Sequence, residues 1–290
     1  MLLVNTHSRR GQELFKSASE RLRELKVPLK DSVEFDDFPN LLKRAKEEVD
    51  KGTPLLLVGG GDGSVNAMAN VTAGTQTALG ILPFGTGNAF ARDLGILDVE
   101  QACEAIANGR VARVDIGSAN EKAFVNVATV GLTTEIAKSL QESLKRKYGR
   151  FVYVYAVLTA LRHIKPFHVN LETDNGQIDF MTLQVVVGNG RYHAGPFKVA
   201  PDAGITTGKL SVYALESASK AALLKLAIHL PRGDHVTLPE VHSESILRGV
   251  LSTTPVKTSI VDGEPGPKTP INFCVHPHGL KVIVPEDFTG

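Results

Sequence analysis

The apolar positions in the first half of the chain follow two alternating rhythms. Short runs at Met1–Asn5, Leu29–Phe35, Leu55–Val58 and Ala78–Leu82 have the length and density of buried strands. Between them, Leu14, Phe15, Ala18, Leu22 and Leu25, and then Leu41, Leu42, Ala45 and Val49, recur at helical spacing. Pro28 and Gly52 close these two helices, and Asp36 or Asp37 can cap the second. A third helix is predicted from Ser64, with further helices near Ala89–Leu94 and Val99–Ala107. Strands alternating with helices predict a parallel sheet covered on its faces. The pattern changes near Arg113. Strands are predicted at Val111–Ser118 and Lys122–Ala128, then helices near Thr133–Gln141 and Arg150–His163. Strand-like runs follow at His168–Thr173, Ile178–Val187, Lys209–Leu215, Leu247–Leu251, Val256–Val261 and Ile271–Val275, with one helix, Lys220–His229, among them. Successive strands without intervening helices predict an antiparallel sandwich or barrel. The boundary falls between Arg113 and Phe124 without a flexible linker, so two closely packed domains with a cleft between them are expected.

Two strand ends carry glycine turns: Gly59-Gly60-Gly61-Asp62-Gly63 after Leu55–Val58, and Pro83-Phe84-Gly85-Thr86-Gly87 after Ala78–Leu82. In a parallel sheet both lie at the carboxyl ends of strands, where ligands bind. Such a turn, feeding a helix N-terminus, directs backbone N–H groups and the positive end of the helix dipole at an anion. Glycine lets a phosphate approach the backbone closely. Asp62 inside the turn would repel that phosphate unless a divalent cation lies between them or the carboxylate meets a hydroxyl. This points to a nucleoside triphosphate with Mg2+. A plain reading stays open, in which this is a tight strand-to-helix turn capped by Asp62. The dinucleotide fingerprint is excluded because Asn66 stands where a third glycine would be, and no P-loop, protein-kinase or G-x-S-x-G motif occurs.

Composition adds limits. The 290-residue chain has a net charge of +1, which gives no basis for nucleic acid as an electrostatic partner. It has two cysteines, too few for a disulfide framework, which suits a reducing compartment. The N-terminus lacks a basic segment, and the longest apolar stretch, Phe151–Leu161, is far short of the ~20 residues that cross a bilayer. The expectation is a cytoplasmic protein, with peripheral membrane contact left open.

The motifs together resemble one family. Gly60-Gly61-Asp62-Gly63-Ser64-Val65-Asn66 resembles the GGDGT-x-N motif of the diacylglycerol kinase catalytic domain, and Pro83–Asn88 resembles its P-x-G-T-x-N motif. Asp262-Gly263-Glu264-Pro265 resembles its D-G-E-P motif, while Asp115-Ile116-Gly117 and Asn189 fall where the family has them. Length and order match the bacterial lipid kinases of the YegS type. The resemblance implies an α/β Rossmann-like N-terminal domain of the NAD kinase and diacylglycerol kinase kind, residues 1–115, binding the nucleotide. A β-rich sandwich domain, residues 116–279, would bind the lipid, and the segment from about 280 to 290 is a candidate to return to the first domain. The active site would lie in the interdomain cleft. The implied reaction is transfer of the ATP γ-phosphoryl group to a lipid alcohol with Mg2+. Gly60, Gly61, Asp62, Gly63, Ser64, Val65 and Asn66 would hold the phosphates, with Gly85, Thr86 and Asn5 contacting the nucleotide. Glu264 would be the general base, and Asp62 and Asp115 would orient the catalytic Mg2+. In isolation, Asp262-Gly263-Glu264 also reads as an ordinary hairpin turn.

The chain departs from the family at several points. Asn5-Thr6-His7-Ser8-Arg9-Arg10-Gly11 replaces N-P-x-S-G, Ala67 and Ala89 stand where acidic residues are usual, and Glu34 or Phe35 replaces a nucleotide-contacting Thr. The family's structural Mg2+ loop corresponds to Gly204, Thr207 and Lys209, with Thr207 in the place of its Asp. A hard cation prefers a carboxylate there, so this site is expected to be weak or absent, with Asp202 as a substitute ligand to consider. Two other functions stay open: a nucleotide-binding regulatory protein with little activity, and a soluble-substrate kinase of the NAD type. Lys145–Arg150 is a basic cluster that reads as either a membrane contact or a solvated helix end, and Lys220–Arg232 is amphipathic. Cys274, His276 and His278 alternate along a strand that Pro277 interrupts, which favours a partly buried edge strand over a metal site. A homodimer is one candidate for the oligomeric state.

Overall fold

The computed structural model describes residues 1–5, 9–35, 37–132, 164–193, 197–198, 200–217, 219–229 and 233–290. The helices expected near 133–141 and 150–163 and the basic cluster 145–150 lie outside these residues.

The first rhythm folds as β1 (Leu2–Asn5), α1 (Arg9–Glu24), β2 (Ser32–Phe35), α2 (Phe38–Asp50), β3 (Leu55–Gly60), α3 (Asp62–Thr72), β4 (Ala78–Pro83), α4 (Ala89–Asp93) and α5 (Val99–Asn108). The strands pair in parallel in the order β2-β1-β3-β4. Leu2, Leu3, Val4, Leu56, Leu57, Val58, Leu79, Ile81 and Leu82 are all buried, because helices cover both faces. Helix α3 starts at Asp62 rather than at Ser64, with Gly61 as its N-cap. The glycines let strand, turn and helix pack closely: a Cβ on Gly59 would stand 2.5 Å from the Phe84 ring, and one on Gly60 2.6 Å from Ser64 Cβ.

The second half forms β5 (Arg110–Ala119), β6 (Lys122–Phe124), β7 (Val127–Gly131), β8 (Phe167–Thr173), β9 (Gly176–Thr182) and β10 (Gln184–Gly188). It continues with β11 (Tyr192–His193), β12 (Phe197–Lys198), β13 (Leu210–Leu215), α6 (Lys220–His229), β14 (Val241–Ile246), β15 (Arg248–Thr254), β16 (Thr258–Val261), β17 (Glu264–Lys268) and β18 (Ile271–Val284). One antiparallel sheet runs β14-β13-β10-β7-β16-β17. A core containing Phe124, Phe167, Val185, Val212, Leu251 and Phe273 lies between it and the strands β8, β15 and β18 of the other sheet. Helix α6 buries Leu223 and Leu226 against the outer side of the sandwich and leaves Leu224 and Ile228 exposed.

Three strand expectations are corrected. Lys122–Ala128 is two strands, because the N–H groups of Val125 and Asn126 are donated to the Asp262 carboxylate instead of a ladder. Ile178–Val187 is also two strands, β9 and β10, which belong to different sheets. Ile271–Val275 is the start of a strand of 14 residues that continues through Pro277 with a register shift between His276 and Leu280. Strand β18 is not an edge strand. It pairs with β15 and β5 antiparallel and with β4 in parallel, so one continuous sheet runs through both halves of the molecule.

Candidate active site

The two glycine turns are packed backbone against backbone. Phe84 N–H donates to the Gly60 carbonyl at 3.0 Å, and a Cβ on Gly85 would stand 2.7 Å from Gly61 Cα. Asn88, in the left-handed region with φ 52°, accepts from Gly85 N–H at 3.0 Å and donates to the Gly85 carbonyl at 2.8 Å. The Asp62 carboxylate spans the two turns, accepting from the N–H groups of Asn88 (3.0 Å) and Ala89 (2.6 Å) at the start of α4. Asp62 is thus a clamp between two helix starts. The first N–H groups of α3 have no acceptor within the helix, as at every helix N-terminus. Asn5, at the end of β1, donates its amide to Ser64 Oγ at 3.1 Å.

A cavity of about 980 Å³ opens over this turn. Its floor includes Asn5, Gly61, Gly63, Ser64 and Asn66, one side is Asp37, Phe38 and Pro39 at the start of α2, and the far wall is Lys122, Asp262, Glu264 and Pro265. The hairpin joining β16 and β17 holds that wall in place. Asp262 (φ 48°) and Gly263 (φ 86°) both occupy the left-handed region, as a two-residue hairpin demands. The Asp262 carboxylate then receives the N–H groups of Val125 (2.8 Å), Asn126 (3.0 Å) and Val127 (2.9 Å). Burial drives its pKa up to about 6 against those three donors, with the charge of Asp62 adding to the rise. The Asn66 amide bridges the halves, donating to the Asp262 carbonyl at 3.4 Å and accepting from the Asn126 amide at 3.3 Å. Lys122 donates to the Pro265 carbonyl at 2.8 Å. Glu264 is exposed to the cavity and has no hydrogen-bond or ion-pair partner among the described residues.

The structure therefore brings Asn5, Gly61, Gly63, Ser64, Asn66 and Glu264 together around one space, while Asp62, between the two glycines, turns its carboxylate to α4 and does not line it. Gly60 and Val65 support the turn from behind: a Cβ on Gly60 would meet Ser64 Cβ at 2.6 Å, and Val65 is buried. Thr86 is exposed beside the second turn and does not line the cavity. Asp115 is elsewhere. It is fully buried, and its carboxylate accepts from Gly208 N–H (2.6 Å) and His278 N–H (3.0 Å). Gly204, Thr207 and Lys209 lie in the loop resting on it. Among the described residues no cluster of three or more His, Cys, Asp or Glu side chains could hold a metal ion unaided. At the cavity, Asp62 beside an open glycine turn suits a cation carried in by a nucleotide, whose phosphates supply the remaining oxygens.

Sequence reasoning passed over Asp262 as the wall's anchor, Asn126, and Lys122. Asp262 is visible in the sequence as part of the D-G-E-P-like motif and as a turn residue, but the partners that make it an anchor are more than 130 positions away.

A Rossmann-like sheet, paired glycine turns and a carboxylate facing them from a β-sandwich define a two-domain phosphotransferase cleft. The diacylglycerol kinase catalytic domain family matches residues 1–119, and the YegS C-terminal NAD kinase beta sandwich-like domain matches residues 126–284. A diacylglycerol kinase of Staphylococcus saprophyticus is 30% identical over 246 residues, covering 84% of this chain and 81% of the relative. One of Bacillus subtilis is 29% identical over 250 residues, covering 84% and 82%. The crystal structure of a diacylglycerol kinase from Bacillus anthracis superposes with a TM-score of 0.76 over 99% of this chain and 97% of its own, at 20% identity. The protein belongs to the diacylglycerol kinase family and is a lipid kinase. No helix among the described residues is long and apolar enough to cross a membrane.

Proposed function

We propose that this protein transfers the γ-phosphoryl group of ATP, with Mg2+, to the hydroxyl of a diacylglycerol-like lipid. The observation that carries this is the contrast among the acidic side chains. Asp62, Asp115 and Asp262 are each held by backbone N–H groups, whereas Glu264, of these four, has no side-chain partner among the described residues and faces the glycine turns across the cavity. A carboxylate that shares no proton and no cation is available to accept the proton of an acceptor hydroxyl. In this reading the triphosphate lies along Gly61–Ser64, with its γ-phosphorus toward Glu264. The lipid oxygen forms the new P–O bond, its proton passes to Glu264, and the bond to the ADP oxygen breaks. Mg2+, held by Asp62 and the phosphates, would supply charge neutralisation in the transition state. The chain's own part is position: the Asp262 strap fixes the distance between base and turn. A lipid acceptor also implies contact with a membrane surface, for which the exposed Leu224 and Ile228 of α6 offer apolar side chains.

The test is transfer from γ-labelled ATP to a panel of diacylglycerol, monoacylglycerol and long-chain amino alcohols, with NAD as the soluble acceptor. Glu264→Gln should lower kcat by ~10²–10⁴-fold with little change in nucleotide affinity. Full activity in that variant would refute Glu264 as the base, labelling of NAD would replace the lipid, and nucleotide binding without turnover on any acceptor would make the protein a regulator.

A further inference from the structure

The loop between β12 and β13 carries the positions where the family resemblance places a structural Mg2+. Its donor set is already closed. The Thr207 hydroxyl donates to the Gly204 carbonyl at 2.9 Å and lies 3.3 Å from the Lys209 carbonyl, so one proton serves the two oxygens that would hold an ion. The same hydroxyl accepts from Lys209 N–H at 3.3 Å. The preceding carbonyl, of Ala203, accepts from the Arg191 guanidinium at 2.9 Å, and Arg191 Nη2 stands 3.5 Å from where a Cβ on Gly204 would be. A divalent cation here would meet two occupied carbonyls, a neutral hydroxyl in place of a carboxylate, and a permanent positive charge next door. No cluster of acidic or imidazole ligands among the described residues compensates.

We infer that this loop holds its shape without a metal ion, because the Thr207 hydroxyl and the Arg191 guanidinium do the work that a divalent cation and a carboxylate would do together. The exchange fits the loop's task. It must fasten to Asp115, whose N–H donates to the Ile205 carbonyl at 2.6 Å and whose carboxylate receives Gly208 N–H at 2.6 Å. Arg191 extends the joint to the first domain, since its N–H donates to Asp93 of α4 at 3.0 Å. The connection from α4 through Arg191 to the loop and on to β5 is therefore made of protein groups alone. Any Mg2+ requirement is then confined to the nucleotide, and this holds whatever acceptor the enzyme uses.

Thermal unfolding of the nucleotide-free protein in EDTA and in millimolar Mg2+ tests this. The wild-type Tm should be the same in both to within ~1 °C. Thr207→Val, which keeps the shape and loses the hydroxyl, should melt ~2–4 °C lower in both media. Thr207→Asp restores the carboxylate and should acquire a Tm that rises with Mg2+ by mass action. A wild-type Tm that falls in EDTA and recovers with Mg2+ overturns the inference. So does a folded Thr207→Asp protein as indifferent to Mg2+ as the wild type, because the hydroxyl would then not mark a cation position.

Discussion

Two loops of this protein sit where phosphates and cations are expected, and they have been finished in opposite ways. The turns at Gly59–Gly63 and Gly85–Gly87 are buttressed from behind by Asp62 and Asn88, while the front of the cavity keeps a helix N-terminus and the unpartnered Glu264. The groups of the loop from Pro201 to Leu210 are taken up within the protein: the Thr207 hydroxyl on two of its carbonyls, the Arg191 guanidinium on a third, and the Gly208 N–H on Asp115. Binding needs capacity left over after folding, and a joint needs none. The same residue types therefore say little until their partners are known. Asp62, Asp115 and Asp262 are each engaged by backbone N–H groups, and Glu264 is left to meet an acceptor hydroxyl.

The comparison can be broken most severely at the open side. Gly85→Ala would put a methyl group 2.7 Å from both Gly61 Cα and Asn88 Oδ1, so the turns must separate. Overpacking of this kind costs ~1–3 kcal/mol, and since the shift is in the phosphate cradle itself, calorimetry should show nucleotide affinity reduced by at least ~10-fold. Next in size is Asp262→Asn, which removes the charge that holds three N–H groups. A loss of ~2 kcal/mol and a drop in Tm of ~4–8 °C are expected by calorimetry, with kcat falling as the Glu264 wall loosens. An unchanged Tm would mean the wall is held by the ladder and not by the strap.

The smallest effect concerns the closed side and pH. Asp93 accepts from the N–H groups of Arg191 and Tyr192, and burial raises its pKa from 3.8 to about 7 against those bonds. A raised carboxyl means the folded protein keeps a proton that the unfolded chain has lost. The associated stability is fully present below pH ~4 and is lost as pH rises through about 7. Asp93→Asn should flatten the fall in stability across that window, a change of order 1–3 kcal/mol in denaturant titrations at the two ends. An Asp93→Asn protein with the wild-type slope would place the titrating group elsewhere.

Much of the fold was legible because it rests on short-range patterns. Helical spacing located α2, α5 and α6 closely, and both glycine turns followed from residues adjacent in sequence. The errors share a cause. Lys122–Ala128 and Ile178–Val187 are continuous apolar runs, and nothing local marks where one strand ends and another sheet begins. In the first case the break is made by Asp262, reaching in from the other end of the chain. Pro277 argued for a broken edge strand, yet β18 absorbs it by shifting register beside β5. The family resemblance assigns Asp115 and Asp62 to one Mg2+, and the fold buries Asp115 under a loop while giving the Asp62 carboxylate to a helix start.

The sequence alone determined the alternation of strands and helices, the two glycine-rich turns at strand ends, and a threonine at position 207. These depend on the periodicity of apolar positions and on residue type at single positions. The tertiary structure decided which polar groups are spent and which are spare. That is settled by partners far apart in the chain, where each buried donor must find an acceptor, so it emerges only when the whole sheet from β2 to β9 has closed around β18.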